Sequence, residues 1–158
     1  MNSKEYQRLA DQYIDMVYRV ALNGCKNKYD ADDVVQNTFI KLLKCKKQFE
    51  YDEHVRNWLL RVAVNECNSI WNSSWRKKVV SLEESREEEP AFSTSEKSEL
   101  YDLVMKLSPK YRQVVYLYYY EEFSVKEVAE VLRISETAVQ TRLQRARQKL
   151  KIQLGGME

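Results

Sequence analysis

Glycine and proline are nearly missing from this chain: three Gly and two Pro in 158 residues, with Gly155 and Gly156 in the tail. Strand-rich folds need those residues at their turns, so a sandwich, a barrel or a hairpin meander is excluded and an all-α chain is expected. The remaining glycine, Gly24, follows a helix-periodic stretch and suits the end of that helix. No run of about 18 apolar residues occurs, so no transmembrane helix is expected. Met1 to Leu9 is polar and lacks the apolar core of a secretory signal, which gives a cytoplasmic expectation. Cys25, Cys45 and Cys67 are odd in number and widely spaced, with no CxxC, so reduced and partly buried thiols are expected. His54 is the only histidine and lies at an expected helix start, where capping or a solvated role fits better than catalysis. There is no Gly-rich phosphate loop, no nucleophile–base pair and no metal-ligand spacing. No enzyme activity, cofactor or small-molecule substrate is therefore expected.

What is present is strongest between Ser108 and Lys151. Ser108-Pro109 opens one helix, with Ser108 as N-cap and Pro109 at the first helical position. Ser124-Val125-Lys126-Glu127 opens a second with capping-box spacing, and Ser135 opens a third after a corner of a few residues. Two helices around so short a corner form a helix-turn-helix, which presents its second helix to a DNA major groove. That helix places Val139, Leu143, Ala146 and Leu150 on one apolar stripe. Thr137, Gln140, Thr141, Gln144, Arg145 and Gln148 fall on the other side, with Arg142 and Arg147 flanking them. These are hydrogen-bonding and cationic groups, and Glu136 at the helix N-terminus is the only acid of the segment. A basic amphipathic helix without a ligand is the plain alternative.

The N-terminal part reads as three helices. One runs from about Ser3 to Asn23. A second opens at Asp30-Ala31-Asp32-Asp33, with Val35, Phe39 and Leu42 or Leu43 inward and Asp33, Gln36, Asn37, Lys41 and Lys44 outward. A third starts near Asp52 to Val55, carries Val55, Trp58, Leu59, Val62 and Ala63 as its stripe, and continues through Asn65 to Trp75. Its end interleaves Asn65, Asn68, Ser69, Trp71 and Trp75 before Arg76-Lys77-Lys78. Amides, aromatic faces and cations together suit unstacked single-stranded bases. The alternative is that both tryptophans are core and the Asn/Ser run is a frayed helix end. From Val79 to Ser98 periodicity is lost and Glu83, Glu84, Glu87, Glu88 and Glu89 dominate, as in a flexible acidic linker. The net charge of +2 thus hides a segregated pattern, basic at the two helical ends and acidic between them.

These segments together resemble an RNA polymerase sigma factor of the extracytoplasmic-function type. Asp30-Ala31-Asp32-Asp33-Val34-Val35-Gln36-Asn37-Thr38-Phe39 is similar to the region 2.2 pattern D-A-E-D-L-V-Q-E-T-F. Val55-Arg56-Asn57-Trp58-Leu59-Leu60-Arg61-Val62-Ala63-Val64-Asn65 looks like region 2.3, and Leu107 to Arg112 with Thr137 to Arg147 looks like region 4. The resemblance implies two small helical domains, residues 1–78 and 99–158, joined by the linker 79–98. It implies core RNA polymerase, promoter DNA and an anti-sigma factor, either free or membrane-bound, as partners. Asp32, Asp33, Gln36, Asn37 and Lys41 would hold the polymerase. Arg61, Asn65, Asn68, Ser69, Trp71, Arg76 and Lys77 would contact the minus-10 element. Thr137, Gln140, Thr141, Arg142, Gln144, Arg145 and Arg147 would contact minus-35. The chain departs from the pattern at Asn37, where Glu is usual, and at Ser69, Asn72 and Ser73, where an Arg-rich run is common. Arg133 stands where Gly commonly ends the first helix of the motif, at a cost of about 1 kcal/mol if the left-handed backbone persists. Gln140 and Gln144 replace frequent basic residues. A stand-alone helix-turn-helix regulator is the rival reading; it requires a dimerisation helix, and none is evident after Lys151.

Overall fold

The computed structural model of the chain describes residues 1–73 and 98–155. Within these, all regular structure is helical, and it divides into two compact units. The first holds α1 (Ser3–Cys25), α2 (Lys28–Lys44) and α3 (Asp52–Asn72). The second holds α4 (Ser98–Lys106), α5 (Pro109–Val115) running into a π-helical turn at Tyr116–Tyr120, α6 (Val125–Leu132) and α7 (Glu136–Gly155). The expected linker, apart from Ser98 at the start of α4, lies outside the described residues, as do Trp75, Arg76 and Lys77.

The first unit is a three-helix packing. Asn2 caps α1 by accepting the Glu5 N–H at 2.8 Å, and Asn27 caps α2 by accepting the Asp30 N–H at 2.8 Å. Leu9, Val17, Ala21, Ala31, Val34, Leu42, Leu59, Leu60 and Ala63 form its core. α2 starts two residues earlier than the acidic run indicates and turns Val34, not Val35, inward. Leu42 is buried and Leu43 is exposed. α3 is one unbroken helix, with Leu60, Val64 and Cys67 buried where Trp58 and Val62 had been expected. Three side chains tie α1 to the others. Tyr6 Oη donates to the Phe39 carbonyl at 3.2 Å, and Tyr13 Oη donates to the Asp52 carbonyl at 3.2 Å. Arg8 meets the Asp52 carboxylate with both nitrogens, at 2.8 and 3.2 Å. That hydrogen bond holds the Asp52 carboxyl below its ordinary range. The stabilisation is present above the ordinary carboxylate pKa and is lost as pH falls below it. Both side chains are solvated, so the tie is weak.

Gly24 does not end α1, contrary to the reading from sequence. Lys26 is the cap, in the left-handed region at φ 64°, and its N–H donates to the Leu22 carbonyl at 2.9 Å. Gly24 lies inside the last turn because α3 approaches there: a Cβ would stand 2.8 Å from Cys67 Sγ and 3.1 Å from Cys67 Cβ. Cys67 cannot easily retreat, since Cys25 Sγ is 3.3 Å away. Gly24→Ala should therefore destabilise this unit by about 1–2 kcal/mol, overpacking outweighing the better helix propensity of Ala. All three tryptophans of the chain, Trp58, Trp71 and Trp75, lie in its N-terminal part, so tryptophan fluorescence in a urea titration reads this unit alone. A lowered midpoint, partly restored by adding Cys67→Ala, is the expected outcome.

In the second unit two of the three start signals read from sequence make their bonds. Ser124 Oγ accepts the Glu127 N–H and Glu127 Oε1 accepts the Ser124 N–H, each at 3.1 Å. Ser135 Oγ accepts the Ala138 N–H at 3.0 Å. Ser108 occupies the N-cap position before Pro109, without a side-chain cap bond. Arg133 ends α6 with φ 57° and ψ 47°, the left-handed corner that the departure from Gly had implied. The core comprises Val104, Val114, Leu117, Val128, Val131, Val139 and Ala146, together with the Arg112 side chain. The sequence pattern assigns Val114, Val115, Leu117, Tyr118 and Tyr119 to this core; Tyr116 is buried as well, while Tyr119 is exposed.

Candidate nucleic-acid and protein interfaces

α7 buries Val139, Leu143 and Ala146, the stripe read from sequence, with Leu150 half-buried. At about 100° per residue, Thr137, Gln140, Gln144 and Arg147 share one outer stripe. All four are exposed, as are Arg145 and Gln148. Thr141 and Arg142 are half-buried at the flanks. Arg147 thus lies on the glutamine stripe itself, one turn beyond Gln144, not beside it. Its Nη1 donates to Tyr119 Oη at 2.7 Å, a contact that nothing in the sequence pattern announces. Lys149, on the other flank, stands over the Tyr111 ring at 5.6 Å, and Lys110 at 5.1 Å. The outer surface of the helix therefore carries amides, a hydroxyl and guanidinium groups, and those groups match base edges and phosphates.

On α3, Asn65 and Ser69 are exposed and Arg61 and Asn68 half-buried, all on one outward face. Trp71 lies off that face. Its Nε1–H donates to the Gly24 carbonyl at 2.8 Å, which fixes the indole against α1. The packing alternative for Trp71 therefore has a definite contact behind it. The aromatic residue that shares the outward face is Trp58, three and seven residues before Arg61 and Asn65, with Phe49 edge-on at 5.7 Å.

α2 exposes Asp32, Asp33, Gln36, Asn37 and Lys41. Among them stand three apolar side chains that sequence reading missed or faced inward: Tyr29 at 79%, Ile40 at 48% and Leu43 at 55% exposure. Spacings of 36, 40 and 43, one helical turn each, were the available signal. Lys41 is at the edge of the patch, with its Nζ 2.6 Å from Glu66 Oε1 on α3. An apolar centre ringed by acids and amides is the composition of a protein-docking face. Among the described residues no cluster of His, Cys, Asp or Glu could hold a metal ion, and no helix is long and apolar enough to cross a membrane.

A helix-turn-helix with a hydrogen-bonding outer stripe, on a chain whose other unit carries an amide-lined helix face and an apolar docking patch, defines a DNA-binding protein with a protein partner. Residues 9–77 match the family description Sigma-70 region 2, and residues 97–150 match Sigma-70, region 4. The ECF RNA polymerase sigma factor SigM of Bacillus subtilis (strain 168) is 30% identical over 145 residues, covering 88% of each chain. SigW of the same organism is 26% identical over 163 residues, covering 92% of this chain and 87% of its own. Two solved structures share the fold. One is the sigma factor RpoE in complex with the anti-sigma factor NepR from Bartonella quintana, with TM-score 0.73, 19% identity and coverage of 96% and 98%. The other is CnrH in complex with the cytosolic domain of CnrY, with TM-score 0.71, 24% identity and coverage of 99% and 92%. The chain belongs to the sigma-70 family, among its extracytoplasmic-function members. It is a transcription initiation factor, which binds core RNA polymerase and directs it to promoters.

Proposed function

We propose how the parts of this chain divide that work. Residues 1–78 form the polymerase and minus-10 module, 79–98 the connection, and 99–158 the minus-35 module. The α2 patch of Asp32, Asp33, Gln36 and Asn37, with Tyr29, Ile40 and Leu43 at its centre and Lys41 at its edge, docks on core polymerase. Arg61, Asn65, Asn68 and Ser69 on α3 receive an unstacked minus-10 base, and Arg76 and Lys77 neutralise nearby phosphates. Trp71 holds the α3 end against α1 and supports that surface from behind. α7 enters the minus-35 major groove, where Gln140 and Gln144 pair with adenines and Thr137, Thr141 and Arg145 extend the reading face. Arg142 contacts the backbone. The chain works in the cytoplasm and catalyses nothing itself; phosphodiester chemistry stays with the polymerase. An anti-sigma factor restrains it, as NepR and CnrY accompany the sigma factors of the two similar structures.

The observation that supports this reading most is the exposed stripe of Thr137, Gln140 and Gln144 on a helix-turn-helix whose caps are all in place. Run-off transcription tests it, using core polymerase, this chain and a pool of randomised promoters. Transcripts should depend on the chain and should enrich one minus-10/minus-35 pair. A chain that shifts DNA alone and leaves the polymerase unaffected would mark a stand-alone regulator.

A further inference from the structure

The π-helical turn between α5 and α6 has a consequence for α7. There the Glu121 N–H donates to the Tyr116 carbonyl five residues back, at 3.1 Å, and the Phe123 N–H to the Leu117 carbonyl at 3.0 Å. A turn so widened holds one more residue than an α-helical turn, and such turns recur at functional sites. Here Tyr116 and Leu117 remain in the core while Tyr119 is half-exposed, at 49%. The Tyr118 ring stands edge-on to it at 4.9 Å and orients it. Its hydroxyl reaches 28 residues along the chain to Arg147 Nη1.

The chemistry of that pair is informative. A phenol oxygen that accepts from a guanidinium keeps its own O–H as a donor. The guanidinium has five donors, and this contact occupies one. Its partner is neutral, so its charge is not cancelled, and among the described residues no carboxylate lies within ion-pair distance of Arg147. Glu121 and Glu122 follow closely in the chain without taking that role. Two donors and one positive charge therefore stand at the end of the stripe of Gln140 and Gln144, one turn beyond Gln144. Such a combination suits a doubly bonded phosphate oxygen pair.

We propose that Tyr119 and Arg147 form a clamp for one DNA backbone phosphate at the C-terminal end of the recognition stripe. Tyr119 is the positioning residue: it fixes the guanidinium and adds a second donor to the same phosphate. The clamp sets the register of α7 in the groove and carries no base preference of its own. It rests on the reading that α7 enters promoter DNA.

The test uses the full chain assembled with core RNA polymerase, and a promoter fragment recovered from the randomised pool as probe. Binding is measured at stepped salt for wild type, Tyr119→Phe, Arg147→Ala and the double variant. Tyr119→Phe keeps the ring and should weaken binding about 5-fold, the effect of one lost hydrogen bond. Arg147→Ala should weaken it at least about 10-fold and lower the slope of log K against log salt by about one. The double variant should lose less than the two single losses combined, because the pair acts together, and minus-35 preference should stay constant throughout. Wild-type promoter binding with Tyr119→Phe unaffected, or with losses that add, would overturn the clamp alone. A wild type that forms no promoter complex would overturn the underlying reading and the clamp with it.

Discussion

Arg112→Ala should unfold the C-terminal unit and leave the N-terminal unit intact. The Arg112 side chain is 1% exposed, the bulkiest fully buried one among the described residues, and its Nη1 donates to the Leu107 carbonyl at 2.9 Å. That carbonyl follows the last residue of α4, where helix carbonyls lack intrahelical partners and the helix end carries partial negative charge. Arg112 thereby joins the end of α4 to α5. Truncation to Ala leaves a buried carbonyl unpaired, at about 1–3 kcal/mol, and opens a cavity that costs a comparable amount. The total, about 3–5 kcal/mol, approaches the whole stability of a unit this small, at roughly 0.05–0.15 kcal/mol per residue. Arg112→Met fills the space without the hydrogen bond and should lose only about 1–3 kcal/mol. Far-UV circular dichroism on heating should show the loss, while tryptophan fluorescence, confined to the N-terminal part, keeps its midpoint.

Glutamate at Ile40 or Leu43 should reduce binding to core polymerase about 100-fold, roughly 3 kcal/mol, without lowering the melting temperature. Both side chains are about half exposed in the free chain, so a charge there costs little in folding. In a complex they would stand at the centre of the docking patch, where a desolvated carboxylate among Asp32 and Asp33 meets both burial and repulsion. Asp33→Lys combined with Gln36→Ala changes only the polar rim and should weaken binding less. Co-purification of epitope-tagged core with each variant measures the order. Retention of the Ile40→Glu and Leu43→Glu chains at wild-type level would remove α2 from the interface.

The start signals of the helices were legible because they act locally. Ser124 with Glu127, and Ser135 with Ala138, make the bonds that their spacing implies. The α7 stripe was legible for the same reason: one periodicity assigns every side chain of a straight helix to a face. Failures occurred where another helix decided. Gly24 reads as a helix end, but the approach of Cys67 explains it. Val34 and Val35 are adjacent and chemically alike, and only the position of α1 and α3 selects Val34. Leu42 and Leu43 are alternatives for the inner face, and the packing selects Leu42, leaving Leu43 an apolar side chain in water. Tyr118 and Tyr119 read as core residues beside Leu117, since α-helical spacing gives no warning of a five-residue turn, but Tyr119 is exposed and Tyr116 is buried instead. Arg112 belongs to a family motif, but its burial appears only once α4 has folded onto α5. Trp71 shows the converse, where composition fits base stacking but the indole N–H already has the Gly24 carbonyl.

Selection on randomised minus-35 elements, with wild-type and Gln140→Ala chains assembled on core polymerase, tests direct reading by α7 most closely. Gln140 is exposed on the outer stripe, so its loss should not disturb the fold. The mutant should lose preference at one base pair, an adenine position in the wild-type consensus, by about 1–3 kcal/mol, and keep it at the others. An unaltered consensus in the mutant, or a uniform loss at every position, would contradict direct reading by this residue.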